Sequence, residues 1–237
     1  MSSINLLFAT EYSINDKIKI MIPKVGEVID QEDDYFGIVS MLTSSPYDMM
    51  VQLDDMGIDF TQMSDYELFL LVFFGIREMD TSLIFGDLDL SKFEPAENEE
   101  NGNIVLIDTE NDIVIDKSIY HQIAATLRKI HHLEKNNRKP GNEEAKKFLL
   151  ERARKKLKRN SRKTDSQLES LIISVVNTEQ FKYNFESVRN MTIYQFNESV
   201  RQIIHKIDYE HLMGGIYAGT IDSKNISNDN LNWMSHK

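Results

Sequence analysis

Residues 192–207 carry the most regular apolar pattern in this chain of 237 residues. The apolar side chains recur every three or four positions, which is the spacing of one face of an α-helix. They are Ile193, Phe196, Val200, Ile203, Ile204 and Ile207. Thr192 and Gln195 have the spacing of a capping box, in which side chains satisfy free backbone N–H groups at a helix start. The pattern predicts a helix that begins after Thr192 and ends at Gly214 and Gly215.

Similar start signals recur along the chain and predict further helices. They are Ser45 with Pro46, Ser64 with Glu67, Asp116, Asn142, and Thr164 with Gln167. Each places a capping oxygen, or a proline at the first helical position, before a run of apolar residues. Together with a stretch at 33–42 that looks like a short helix, they predict helices over 46–56, 65–74, 117–132, 143–159 and from 165 onward. The inner stripe of the helix at 117–132 is predicted to be Ile119, Ile123, Leu127 and Ile130. The chain therefore reads as rich in helices.

A few short segments instead predict strands. Ile18, Ile20 and Ile22 alternate with other residues up to Pro23, which indicates a strand. Residues 104–108 and 113–116 are β-rich runs joined by a short polar turn, which predicts a hairpin. Residues 83–85 predict one more short strand, whereas residues 1–16 are polar and unpatterned and predict a loosely held arm.

These elements predict a mainly α fold, with one or more multi-helix domains and a small β-hairpin or short sheet in the N-terminal half. An acidic loop over residues 93–102 predicts a boundary. Residues 1–102 would form an acidic N-terminal region with short strands and helices. Residues 103–237 would form the hairpin followed by a helical C-terminal region that contains a basic helix.

Charge is strongly segregated along the chain. Residues 128–163 hold fifteen Lys or Arg against four Glu, whereas the first 116 residues hold twenty-five acids against five bases and the whole chain has a net charge of −11. The basic segment either meets an anionic partner or forms a solvated helix face. Between Lys146 and Lys163 its only aromatic residue is Phe148, predicted to face inward, whereas nucleic-acid readers add aromatic or amide groups. The pattern favours a protein partner or solvent over nucleic acid.

The sequence offers no set of residues typical of an enzyme, cofactor or metal site. It has no cysteine, no phosphate-binding glycine loop and no nucleophile motif. Adjacent His131 and His132 point in different directions on a helix, and His205 and His211 are six residues apart, which suits no metal. Asp87 and Asp89 alternate as on an exposed strand face. We therefore expect no catalytic residue, no cofactor and no metal.

Two groups of residues are instead candidates for binding a protein partner. The apolar helix at 66–74 carries more apolar side chains than one buried face needs, and the preceding helix is rich in methionine, which adapts to varied partners. The basic arc of the helix at 143–159 would steer an acidic partner. A plain core and a solvated face remain the alternatives. The candidate residues are Met49, Met50, Phe69, Phe73, Phe74, Lys147, Arg154, Lys155, Lys158 and Arg159.

Several stretches resemble proteins encoded in the tail-gene region of phages and prophages of Gram-positive bacteria. The stretches are residues 35–74 (Tyr-Phe-Gly-Ile-Val, then Ser-Pro-Tyr-Asp-Met-Met and Gly-Ile-Asp-Phe), residues 81–93 (Thr-Ser-Leu-Ile-Phe-Gly-Asp-Leu-Asp-Leu-Ser-Lys-Phe) and residues 193–233, ending on Leu-Asn-Trp. Within that group the chain resembles the tail assembly chaperones, which are small, acidic, helix-rich and non-enzymatic. It is longer than most of their short forms.

The resemblance implies a non-enzymatic chaperone or adaptor that contacts phage tail proteins, namely the tape measure and tail-tube subunits. Other protein clients and a second copy of the chain are further candidate partners. A structural tail or neck component would look similar, and a nucleic-acid-binding regulator using residues 143–163 is a further alternative. The start of the chain lacks the pattern of a signal peptide, and its longest apolar run, residues 68–74, is far short of the roughly 20 residues of a membrane span. We expect a protein of the bacterial host's cytoplasm that binds neither membrane nor nucleic acid.

Overall fold

The computed structural model describes residues 5–98, 102–160, 166–222, 224 and 226–234. Within them the chain forms ten α-helices and two small antiparallel sheets, which confirms the mainly α class. The helices are α1 (Val25–Ile29), α2 (Glu32–Thr43), α3 (Met50–Asp55), α4 (Asp65–Ile76), α5 (Ser82–Phe85), α6 (Lys117–His131), α7 (Glu143–Asn160), α8 (Gln167–Val176), α9 (Phe185–Asn190) and α10 (Ile193–Tyr217). The strands are β1 (Glu11–Ser13), β2 (Lys19–Met21), β3 (Glu94–Glu97), β4 (Ile104–Asp108) and β5 (Ile113–Ile115).

The two sheets lie in the N-terminal half, as predicted. β1 pairs with β2, and β3, β4 and β5 form the second sheet in that order. The predicted hairpin is confirmed as β4 and β5. The predicted loose arm is wrong in part, because residues 11–13 form β1 and Leu6 is completely buried. Pairing with β2, with Tyr12 opposite Ile20, is a tertiary contact that a polar segment does not reveal by its own pattern.

Residues 83–85, predicted as a strand, belong to helix α5. The Asp80 side chain accepts a hydrogen bond from the backbone N–H of Ser82 at 2.9 Å and so forms a turn at the helix start. Ile84 and Phe85 then bury their side chains in the core. A short apolar run suits a buried strand and a buried helical turn equally well, so its composition alone does not decide between them.

The acidic segment at the predicted boundary is not a simple loop. Residues 94–97 form β3, which pairs with β4 so that Glu94 lies opposite Ile107 and Glu97 opposite Ile104. One hydrophobic core contains residues from both sides of this segment, for example Val28 and Leu127. The β3–β4 pairing therefore links the two predicted regions directly.

Helix α6 lies at the centre of this core and packs against α2, α4, α10, β2 and β5. Its buried apolar residues recur at helical spacing and are at most 1% exposed: Tyr120, Ile123, Ala124, Leu127 and Ile130. The Tyr120 ring stacks on Phe69 of α4 with centroids 4.5 Å apart. The predicted inner stripe of this helix is confirmed for Ile123, Leu127 and Ile130. The α6 stripe therefore joins the N-terminal helices to α10.

Most predicted helix starts are confirmed as capped ends. Ser64 with Glu67 and Thr192 with Gln195 form capping boxes, and the Asp116 side chain accepts from the Ile119 N–H. The remaining predicted caps differ in outcome. Asn142 caps α7 by accepting from the Ala145 N–H at 2.8 Å. The predicted cap Thr164 lies outside the described residues, and Ser166 caps α8 instead.

Two predicted helix ends are wrong. Helix α3 begins at Met50 rather than at Pro46, because the Ser45 N–H and hydroxyl both donate to the Asp48 carboxylate at 2.8 Å and hold a turn there. Helix α10 continues through Gly214 and Gly215 to Tyr217. A Cβ on Gly215 would lie 2.5 Å from Ile221 Cδ1. This glycine admits the returning chain rather than ending the helix.

Helix α8 receives part of its N-terminal cap from a distant residue. The Glu32 carboxylate of α2 accepts hydrogen bonds from the N–H groups of Gln167 at 3.1 Å and Leu168 at 2.9 Å, and the Ser166 hydroxyl donates to its other oxygen. Free N–H groups at a helix start favour such a negative charge. The cap ties α8 to the N-terminal half of the chain.

A second, smaller hydrophobic cluster lies beside the main core. Its buried members are Tyr47, Leu53, Phe60 and Leu68. Met49, Met50, Met63 and Leu150 pack against it, among other half-buried residues. Because Leu150 belongs to α7, this cluster is where the basic helix meets the acidic half of the chain.

Candidate protein-binding surfaces

Acidic side chains of the N-terminal half hold the basic helix α7 in place. Arg154 forms ion pairs with Asp54 and Asp55, each at 2.6 Å, and Lys146 pairs with Asp59 at 2.8 Å. The Lys146 ammonium also lies over the Phe60 ring, 5.6 Å from its centroid. These contacts fix which cations of α7 point toward α3 and which remain at the surface.

The pKa values of these groups change in the directions that ion pairing requires. Hydrogen bonds from Lys146 and from Thr61 lower the pKa of Asp59 to about 2. The Asp55 and Asp54 carboxylates raise the pKa of Arg154. The groups lie at the surface, where solvent screens each pair, so the pairs orient α7 more than they stabilise it.

A cleft of about 810 Å³ opens between α7 and the residues that lead into α3; we call it the basic cleft. Its cations are Arg138, Arg152, Lys155, Lys156 and Arg159. Its apolar wall consists of Tyr47, Met50, Val51, Leu149, Ala153 and Leu157. Asp48 is the one carboxylate among the described lining residues. The cleft therefore combines a strong positive potential with an apolar wall.

The basic cleft brings together three of the candidate residues named from the sequence: Met50, Lys155 and Arg159. Met49 packs against the smaller cluster, and Arg154 is paired with α3. Lys147 and Lys158 are exposed on α7 but do not line the cleft. The prediction that Phe148 faces inward is wrong: it is 64% exposed, because α7 packs on the smaller cluster through Leu150 instead.

The sequence-based prediction missed Arg138 and Tyr47 as cleft residues. Arg138 lies in the connection between α6 and α7, and Tyr47 lies in the turn before α3, where the sequence predicted a helix but no binding residue at this position. The positive charge of the segment around Arg138 is the only signal that pointed to it.

Helix α4 divides its apolar residues between the core and the surface. Phe69 and Phe73 are buried in the main core, whereas Phe74 is 54% and Leu71 is 41% exposed. Exposed Glu67 lies one helical turn before Leu71, so Glu67, Leu71 and Phe74 share one stripe at i, i+4 and i+7. We call this set the α4 stripe. Of the three candidate phenylalanines, only Phe74 is accessible to a partner.

A larger cavity of about 1490 Å³, which we call the C-terminal groove, lies along α10. The N-terminal arm, α9 and the residues after α10 complete its walls. Its exposed or half-exposed apolar side chains include Phe8, Tyr183, Ile203, Trp233 and Met234. Its cations are Lys129, Lys182, Arg201 and Lys206, and Glu198 is the one carboxylate among its described lining residues. No residue of this groove was a candidate from the sequence, because its walls come from both ends of the chain.

The histidines near α10 have structural partners. His131 Nε2 lies 2.9 Å from the Tyr35 hydroxyl, and burial lowers the pKa of His131 to about 4. His132 lies 3.5 Å from Glu198, and burial lowers its pKa as well. Within the described residues, no group of three or more His, Asp or Glu side chains is arranged to hold a metal ion. None of the helices in that part of the chain combines the length and apolar character of a membrane span.

Comparison with known proteins gives one family match. Residues 158–237 match the family model described as the YomV second domain. No curated protein and no solved structure matches the chain. The family is of the phage and prophage type, so the similarity associates the chain with phages. The matched segment contains α8, α9 and α10, and most of the residues that line the C-terminal groove lie within it, in the segment before α9, in α9 and in α10.

Proposed function

We propose that this chain is a non-enzymatic phage tail assembly chaperone or adaptor that acts through contacts with tail proteins such as the tape measure and the tail tube. The observation that carries the proposal is the basic cleft, in which five cations surround an apolar wall. Such a surface suits an acidic, amphipathic segment of a protein client. The family match to a phage-type domain agrees with this setting.

The arrangement of α7 supports a binding role over a purely solvated face. Its pairs with Asp54, Asp55 and Asp59 use Arg154 and Lys146. Four of the five cations of the basic cleft lie on other positions of the same helix and next to apolar side chains, and Arg138 lies in the segment that precedes the helix. Cations beside an apolar surface steer an acidic partner toward it, and the apolar contacts then slow its release.

The composition of the basic cleft favours a protein client over nucleic acid. Its only aromatic residue among the described lining is Tyr47, which is buried in the smaller cluster. Single-stranded nucleic acids need accessible aromatic faces on which bases stack. The cleft instead offers aliphatic side chains, which suit leucine-like residues of a helical client.

The first test is co-expression of the chain with the tape-measure and tail-tube proteins of the same phage, followed by co-purification. Charge reversal in the double variant Lys155→Glu/Arg159→Glu should reduce recovery of the client by at least about tenfold. The melting temperature should stay nearly unchanged because both residues are exposed.

The matched control is Lys147→Glu/Lys158→Glu, which makes the same charge change on the same helix outside the cleft. If it loses the client equally, the whole basic arc recruits the partner. If neither variant loses it, the basic cleft is not the binding surface.

Two further measurements separate the alternatives. A chaperone should be absent from purified phage particles, whereas a structural tail or neck component should be detected there by mass spectrometry. A nucleic-acid regulator should bind mixed DNA at about 50 mM salt and lose affinity by orders of magnitude at about 200 mM. We expect no DNA binding to the basic cleft at physiological salt.

A further inference from the structure

The C-terminal groove has the character of a protein-binding site, but it is distinct from the basic cleft. It holds about 1490 Å³ and is bordered by side chains that are unusually exposed for their size, with Phe8 at 85% and Met234 at 64%. Large exposed apolar groups that converge on one concave surface mark an interaction site. Aliphatic and thioether groups are mixed with the aromatic ones, which suits an apolar helix face.

The charges around this groove select an acidic partner. Four cations line it: Lys129, Lys182, Arg201 and Lys206. Among the described lining residues Glu198 is the one carboxylate, and it pairs with Arg201 at 2.8 Å, whereas Lys206 pairs with Glu210 at 3.7 Å. The four lining cations therefore outnumber these two carboxylates, although the chain as a whole is acidic.

The α4 stripe has the complementary composition. Leu71 and Phe74 are exposed side by side, with Glu67 preceding them and Glu78 in the turn that follows the helix. Hydrogen bonds with Ser64 lower the pKa of Glu67, which keeps this carboxylate charged. At Gly75, beside Phe74, an added Cβ would meet no described atom within 4 Å, so this flank is open to close approach.

Each surface repels itself and complements the other. Two grooves would bring like positive charges together, and two α4 stripes would bring carboxylates together, both of which are unfavourable. We propose that the C-terminal groove of one copy of this chain binds the α4 stripe of a second copy. The resulting interface is head-to-tail, so each copy keeps one unused groove or stripe for the next. It involves no residue of the basic cleft and does not depend on the proposed function.

The test uses the full chain and two variants that each block one surface. Phe74→Glu places a charge in the α4 stripe, and Phe8→Glu/Met234→Glu places charges in the groove. The matched control is Phe148→Glu, at an exposed phenylalanine of α7 that belongs to neither surface (64% exposed). Circular dichroism and thermal melting establish that all variants remain folded. Sedimentation velocity then measures the mass over about a hundredfold range of concentration.

We expect the wild type and Phe148→Glu to associate progressively as concentration rises. Each blocking variant alone should stay monomeric. An equimolar mixture of the two blocking variants should form a 1:1 dimer and nothing larger, because one intact groove and one intact stripe remain between them.

Several outcomes would overturn the proposal. They are a monomeric wild type, a blocking variant that associates as the wild type does, and a mixture that stays monomeric. A titration with fluorescent oligo(dT) tests whether the groove binds single-stranded nucleic acid. If oligo(dT) binds at physiological salt and the groove variant abolishes that binding, the groove takes single-stranded nucleic acid instead.

Discussion

Helices α6 and α7 are neighbours in sequence and both carry apolar residues at helical spacing, yet the structure uses them differently. The apolar stripe of α6 is completely buried at the centre of the main core. The apolar residues of α7 are half-buried or exposed, with Phe148 at 64% and Leu157 at 45%. Exposed ion pairs with Asp54 and Asp55 of α3, and with Asp59 after it, orient this helix. The comparison separates a helix that determines stability from one whose side chains remain available for binding.

The largest difference is expected from removing apolar volume. Leu127→Ala in α6 empties a site with no solvent exposure and should lower the free energy of unfolding by about 2–5 kcal/mol. Leu149→Ala in α7 should cost less than about 1.5 kcal/mol because that side chain is only half-buried. Urea denaturation measures both. Equal losses would contradict the distinction between the two helices.

A pH titration tests how the burial of His131, at the end of α6, affects stability. Burial lowers the pKa of His131 to about 4 in the folded state, below the roughly 6.5 of an unfolded chain. The unfolded chain therefore binds the proton first as pH falls. The neutral, buried form of His131 therefore contributes to the free energy of unfolding. That contribution is fully present above about pH 6.5 and is lost as the pH falls toward 4, by at most about 3 kcal/mol.

The variant His131→Gln isolates this contribution. Glutamine can still accept a hydrogen bond from Tyr35, but it does not titrate. Its unfolding free energy should depend less on pH between 4 and 6.5 than that of the wild type. His211→Gln, the same substitution at an exposed position of α10, is the matched control.

The smallest effect is expected where α7 meets α3. Arg154→Met removes the ion pairs with Asp54 and Asp55 and should change the melting temperature by less than about 2 °C. Added salt should shrink that difference further, because it screens the pairs. Arg152→Met, which breaks no ion pair recorded among the described residues, is the control. A loss as large as that of Leu127→Ala would show that α7 belongs to the stabilising core.

Local signals in the sequence predicted much of the fold. The capping boxes at Ser64 and Thr192 and the α6 stripe could be predicted because their hydrogen bonds and spacing involve residues a few positions apart. The strand β3 and the continuation of α10 could not, because each depends on a partner that the local pattern does not name, such as Ile221 beside Gly215. The start of α3 was missed for another reason, since the local bonds of Ser45 to Asp48 hold a turn where the proline signal predicted a helix.

The candidate surfaces show the same limit. Charge patterning led to Lys155 and Arg159, which line the basic cleft. The C-terminal groove was missed because Phe8 and Trp233 meet only after the chain has folded. The apolar run of α4 could be recognised, but which of its phenylalanines is buried depends on the position of α6.

The Glu32 cap on α8 has a consequence for synthesis. Ser166 lies 134 residues after Glu32, so α2 leaves the ribosome well before the helix that it caps is made. The acceptor for the start of α8 is then already in place when residues 166–168 emerge. The later helices are therefore added to a surface that the earlier ones have prepared, and a ribosome-bound chain ending before α8 presents that carboxylate to solvent.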